Sequence, residues 1–151
     1  MATDKDNQDA LALKGPEALF KPDEQLEEAG VFLDYGDFRI KITRAGATNR
    51  RFRQVMSQKM KPHRRAMSND TMSNDLAERV TREVWAETIV LGWDSALGKD
   101  KIPYKGAAYQ FSKENCVALF KDLPDLFIDV REQSMKLGLF IDENEDLELG
   151  N

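Results

Sequence analysis

The spacing of apolar and polar residues changes period along the chain, and each change marks an element. Phe38-Arg39-Ile40-Lys41-Ile42-Thr43 alternates, and Val31-Phe32-Leu33 precedes it across Asp34-Tyr35-Gly36-Asp37. Period 2 on both sides of a Gly-containing turn predicts a β-hairpin. Phe38, Ile40 and Ile42 would face the core, while Arg39 and Lys41 would meet solvent or a partner. From Ala47 the period becomes helical: Phe52, Val55, Met56 and Met60 form an i, i+3, i+4, i+8 stripe, with Arg50, Arg51, Arg53 and Lys61 off it. Pro62 ends that helix, because the residue before a proline avoids the helical region.

The strongest helical pattern runs from Leu76 to Leu91. Leu76, Val80, Val84 and Thr88 form one row, Ala77, Trp85 and Ile89 lie beside it, and Gly92 stops it. A duplicated Met-Ser-Asn-Asp (67–70 and 72–75) precedes it as a linker rich in helix-starting residues. Residues 94–110 read as a loop, with Gly98, Pro103 and Gly106 as breakers. Ser112 caps a helix running to about Lys121, and Pro124 starts a last one, stopped at Gly138. Pro16 and Pro22 can each start a short helix, the second ended by Gly30. The pattern predicts an α+β, mainly α fold: one N-terminal β-hairpin followed by four to six helices in a single small domain. Its expected organisation is an acidic, largely flexible arm over residues 1–29, the hairpin and helices over 30–140, and an acidic flexible tail over 141–151.

Composition narrows the class of protein. The chain has 151 residues, enough for one domain with a real core. No run approaches the ~20 apolar residues that span a bilayer. The first residues are polar and acidic, unlike a secretory signal. One cysteine and one histidine exclude an internal disulfide framework and a Cys/His zinc site built by this chain alone.

Charge adds what composition hides. The net charge is -5, yet residues 38–67 carry ten Lys and Arg and no acid. Residues 1–37 carry ten acids against three bases, and residues 139–151 carry five acids and no base. A basic block between acidic ends attracts polyanions or an acidic protein surface, or is covered by the acidic ends themselves. A small nucleic-acid-binding regulator using residues 38–67 is therefore one reading.

Motifs for chemistry do not hold up. Gly92-Trp93-Asp94-Ser95-Ala96-Leu97-Gly98-Lys99 imitates a phosphate loop. It has five residues between its glycines instead of four, and Asp100 where Ser or Thr is needed. Asp142, Asn144 and Asp146 imitate a calcium loop, with Leu147 at the glycine position. Cys116 lies in a short inward pattern and reads as a buried thiol. His63 has no serine or cysteine paired with it by a recognisable motif. Trp85 and Trp93 read as core, or as anchors of a subunit contact. No catalytic residue, cofactor or metal is expected.

Two segments carry a resemblance. The first is Phe38 to Gly46 with Lys61-Pro62-His63-Arg64-Arg65. The second is Leu91-Gly92-Trp93, Ile102-Pro103-Tyr104, Phe111-Ser112-Lys113-Glu114-Asn115-Cys116 and Leu123-Pro124-Asp125-Leu126-Phe127. In order and spacing, over residues 31–138, they resemble the tail assembly chaperones of long-tailed (siphovirus-type) bacteriophages. Cys116 replaces the usual small residue, and Lys105–Gln110 lengthens the loop. The resemblance implies a non-enzymatic role in virion morphogenesis. Such a protein binds the tape-measure protein, helps tail-tube subunits assemble, acts in the host bacterial cytoplasm and leaves before the virion is mature. Self-association is compatible with it; nucleic acid and membrane are not its expected partners. The contact residues expected on this reading are Arg39, Lys41, Arg44, Arg50, Arg51, Arg53, Met56, Met60, Arg64, Arg65 and Trp93.

Overall fold

The computed structural model describes residues 12–141. Of the flexible arm expected over residues 1–29 and the flexible tail expected over 141–151, residues 1–11 and 142–151 lie outside the described residues. Two short helices come first, α1 (Pro16–Phe20) and α2 (Glu24–Ala29). Asp23 caps α2 by accepting from the Gln25 and Leu26 amides. Gly30 then turns the chain at φ +81° into β1 (Val31–Asp34). A Cβ there would meet the Ile42 carbonyl at 2.9 Å and Leu91 Cδ1 at 2.7 Å, so both the turn and the close approach require glycine.

β1 pairs antiparallel with β2 (Phe38–Ile42), as the alternation predicts. Ile40 and Ile42 are fully buried and Arg39 is exposed. The expected stripe forms α3 (Arg50–Met60): Phe52, Val55, Met56 and Met60 pack against the core. A 3-10 turn (Lys61–His63) leads into α4 (Arg64–Ser68). Ser73 caps α5 (Asn74–Val84), whose last turn opens into a π-helical one over Trp85–Ile89.

There the structure corrects the expected fold class. Among the described residues there are six strands in two antiparallel sheets, where one hairpin was expected. The helix read through Leu91 ends at Ile89, and β3 (Val90–Ser95) follows. β3 pairs with β2, which makes β2 an interior strand. Thr88, Ile89 and Val90 are β-branched in succession, which weakens helix and favours strand. A bulge at Leu91 lets Val90 pair with Ile42 while Gly92 pairs with Lys41. The segment read as a loop forms β4 (Gly98–Lys99) beside β3, and a separate hairpin of β5 (Lys101–Tyr104) and β6 (Ala107–Gln110). Its two-residue turn, Lys105-Gly106, has positive φ at both positions (52° and 77°), the geometry that suits the twist of paired strands.

The C-terminal helices form as the sequence predicts. Ser112 caps α6 (Lys113–Asp122) by accepting from the Asn115 amide, and Pro124 opens α7 (Pro124–Ser134). A 3-10 turn (Leu137–Phe140) closes the described chain and buries Phe140. The core joins Ile40, Ile42, Val84, Trp85, Ile89, Trp93, Phe120, Phe127 and Val130. Trp85 lies at its centre, edge-on to Phe52 at 5.0 Å and to Phe127 at 6.4 Å, with its Nε1 donating to Ser134 Oγ at 3.0 Å.

Candidate functional site

Helix α3 presents two faces for two reasons. Asn49 sets its start: Oδ1 accepts from the Phe52 amide at 3.0 Å, and Nδ2 donates to the Arg44 carbonyl at 2.9 Å. That fixes the rotation at which Phe52, Val55, Met56 and Met60 meet the core. With 3.6 residues per turn, Arg50, Arg53, Gln54, Ser57 and Gln58 then point outward. These five line a shallow, open surface. Lys61 in the turn and Arg64 and Arg65 in α4 are exposed as well. Arg50, Arg53, Lys61, Arg64 and Arg65 form no ion pair among the described residues.

The other expected contact residues divide into separate places. Arg39 lies on the sheet face turned from the core, held by Asp94 through two bonds of 2.8 and 2.7 Å and stacked over Phe32 at 3.8 Å. That bond raises the Arg39 guanidinium and holds the Asp94 carboxyl below its ordinary value. Lys41 reaches the same Phe32 ring at 5.4 Å. Arg44 pairs with Glu27 of α2 at 3.1 Å, in a cleft of about 510 Å³ shared with Glu24, Glu28, Arg50 and Arg51. Met56 and Met60 are half-buried against the core and reach the surface only at their margins.

Trp93 stands apart from the others in this set. It is 2% exposed, and its Nε1 donates to the Tyr109 carbonyl at 3.1 Å. Its ring stacks on Tyr109 at 5.8 Å and meets Phe111 edge-on at 5.0 Å. The side chain is internal to this fold.

Two arrangements had no sequence signal. Glu87 joins three elements, accepting from Lys113 Nζ at 3.0 Å and pairing with Lys59 at 3.6 Å. The bond from Lys113, helped by Lys59 and Arg51, holds its carboxyl below the ordinary range. Tyr104 donates to Asp122, which also pairs with Lys105, so the Tyr104 phenol is raised and the Asp122 carboxyl lowered. Both sets are explained as ties between elements. Burial pushes the Cys116 thiol far up, which makes it inert. The residues that imitate a phosphate loop are the end of β3, the Ala96-Leu97 turn and β4.

Among the described residues no group of three His, Cys, Asp or Glu side chains is placed to hold a metal ion, and no helix is long and apolar enough to cross a membrane. The fold and surface define a small helix-and-sheet protein whose most distinctive exposed feature is a cationic helical face. The family model described as YdaY prophage protein matches residues 47–151, and the chain belongs to that family. It is therefore a phage-derived protein. The match includes the cationic face and begins after the β1–β2 hairpin. No curated protein and no solved structure gives a significant match.

Proposed function

We propose that this phage protein is a tail assembly chaperone without enzymatic activity, which grips the tape-measure protein while tail-tube subunits assemble. The observation that carries the reading is the set of cations Arg50, Arg53, Lys61, Arg64 and Arg65, exposed on α3, the turn after it and α4 without ion partners among the described residues. Cations kept out of internal pairs attract an acidic partner at a distance and release it as salt or a competitor rises. Apolar contact is available as well: Leu19 and Phe20 of α1 are 58% and 71% exposed. A holding protein needs both kinds of surface and no cleft for chemistry.

The test is co-expression with the tape-measure protein of the same phage. Solubility of that partner and co-purification should rise, and Arg50→Gln with Arg53→Gln should weaken the complex while leaving the thermal midpoint in place. Unchanged solubility and no co-purification would sink the reading. The same cations support a second reading, a nucleic-acid-binding regulator. A gel shift at low salt separates the two, because phosphate binding falls steeply as salt is added.

A further inference from the structure

Strand β1 is an edge of the sheet whose order is β1-β2-β3-β4. The ladder fixes which of its backbone groups point away from β2. The Tyr35 amide donates to the Phe38 carbonyl at 2.9 Å, and on the other side of β2 the Thr43 amide donates to the Ile89 carbonyl at 2.9 Å. Bonded and non-bonded pairs alternate along an antiparallel ladder. Val31 and Leu33 therefore bond to their partners Ile42 and Ile40, while the amides and carbonyls of Phe32 and Asp34 face outward. Those four groups meet no hydrogen-bond partner among the described residues. Sheets commonly guard such an edge with lysine, proline or a bulge. β1 reads Val-Phe-Leu-Asp, and the bulge lies between β2 and β3.

The side chains at this edge complement a second copy of it. Phe32 is 43% exposed, with the Arg39 guanidinium 3.8 Å and Lys41 Nζ 5.4 Å from its ring centre. Asp34 is exposed on the same strand; its Oδ1 accepts from the Gly36 amide at 2.8 Å. Neither Asp34 nor Lys41 has an ion pair among the described residues. An antiparallel pairing centred on Leu33 sets Phe32 of each copy opposite Asp34 of the other. It satisfies every outward amide and carbonyl of both strands, and it brings a carboxylate beside each ring that carries Arg39 and Lys41. Neighbouring registers do worse. Centring on Asp34 opposes two like charges. Centring on Phe32 sets Asp34 against Gly30, which has turned out of the strand at φ +81°.

We propose that two copies of this chain pair antiparallel through β1, with Leu33 on the two-fold axis, so that their sheets become one. The contact uses up both β1 edges and closes at the dimer. It involves none of the α3 and α4 cations and does not rest on the chaperone reading. Four strand residues a side are far fewer than the roughly 20–30 of a standard interface, so the dimer is weak.

Sedimentation of the full chain up to about 1 mM, the range of weak complexes, should show monomer and dimer and no larger species. Amide exchange read by NMR locates the contact in the wild-type chain. Phe32 and Asp34 should slow about tenfold once about nine chains in ten are paired. Leu33, bonded within its own sheet, should be slow at every concentration. Mild oxidation tests the register. Leu33→Cys should crosslink to its copy, because opposite non-bonded residues lie about 4.5 Å apart at Cα. Val31→Cys, half-buried on the same face, should not, being about 14 Å from its copy. Cys116 is buried and takes no part. A chain that stays monomeric at about 1 mM would overturn the proposal. So would species beyond the dimer, a dimer whose Phe32 and Asp34 amides still exchange fast, or equal crosslinking of the two cysteine variants.

Discussion

Trp93 offers the sharpest separation between a contact residue and a core residue. Its side chain is 2% exposed and touches Tyr109 and Phe111. Replacing a buried tryptophan by alanine removes its transfer free energy and leaves a cavity, a loss of about 3–5 kcal/mol. For a chain of this length each kcal/mol moves the midpoint by roughly 2–4 °C, so Trp93→Ala should melt roughly 6–20 °C below wild type. Trp93→Phe keeps a ring but loses the donor to the Tyr109 carbonyl. Tyr109 is half-buried, so water replaces part of that bond, and the cost should be about 1 kcal/mol. Arg53→Gln, on an exposed position without an ion pair among the described residues, should stay within about 0.5 kcal/mol. Urea titration followed by tryptophan fluorescence measures the three free energies, and thermal melting followed by circular dichroism measures the midpoints. The order Ala, then Phe, then Arg53→Gln is the expected one. A Trp93→Ala chain that melts with wild type but loses its partner would refute the core assignment and return Trp93 to the contact surface.

Two other perturbations test the fold at its joints. Gly30→Ala places a Cβ at φ +81°, 2.9 Å from the Ile42 carbonyl, and should destabilise the chain by about 1–3 kcal/mol in the same titration; a loss below a few tenths would show that α2 and β1 are not joined as described. Glu87 has a carboxyl value depressed on folding, so its contribution is present at neutral pH and lost as pH falls through the folded value. The stability gap between wild type and Glu87→Gln should therefore close on acidification below the ordinary value of 4.5, and a gap that stays constant down to pH 2 would rule the tie to Lys113 out.

What the sequence could and could not disclose follows from how local each feature is. The β1–β2 hairpin, the stripe of α3, and the starts of α6 and α7 at Ser112 and Pro124 are written in neighbouring residues. β3 is not. Its bulge at Leu91 lets Val90 and Trp93, three apart, both face the core. That spacing is also helical, so the apolar row of α5 continued without a break into a strand. The β5–β6 hairpin hid behind Pro103, which breaks an interior strand but is tolerated here because it is exposed in a two-stranded sheet. The surface was least local of all. Ten cations stand between residues 38 and 67, yet Arg39 is matched by Asp94, Arg44 by Glu27, and Lys59 by Glu83 and Glu87. Those pairings come from chain reversals that no window of sequence contains. Subtracting Arg39, Arg44 and Lys59 leaves seven cations, and all but Lys41 stand on α3, the turn after it and α4. What is left unpaired specifies more than a total charge does, because it names the part of the surface on which an acidic partner would be held.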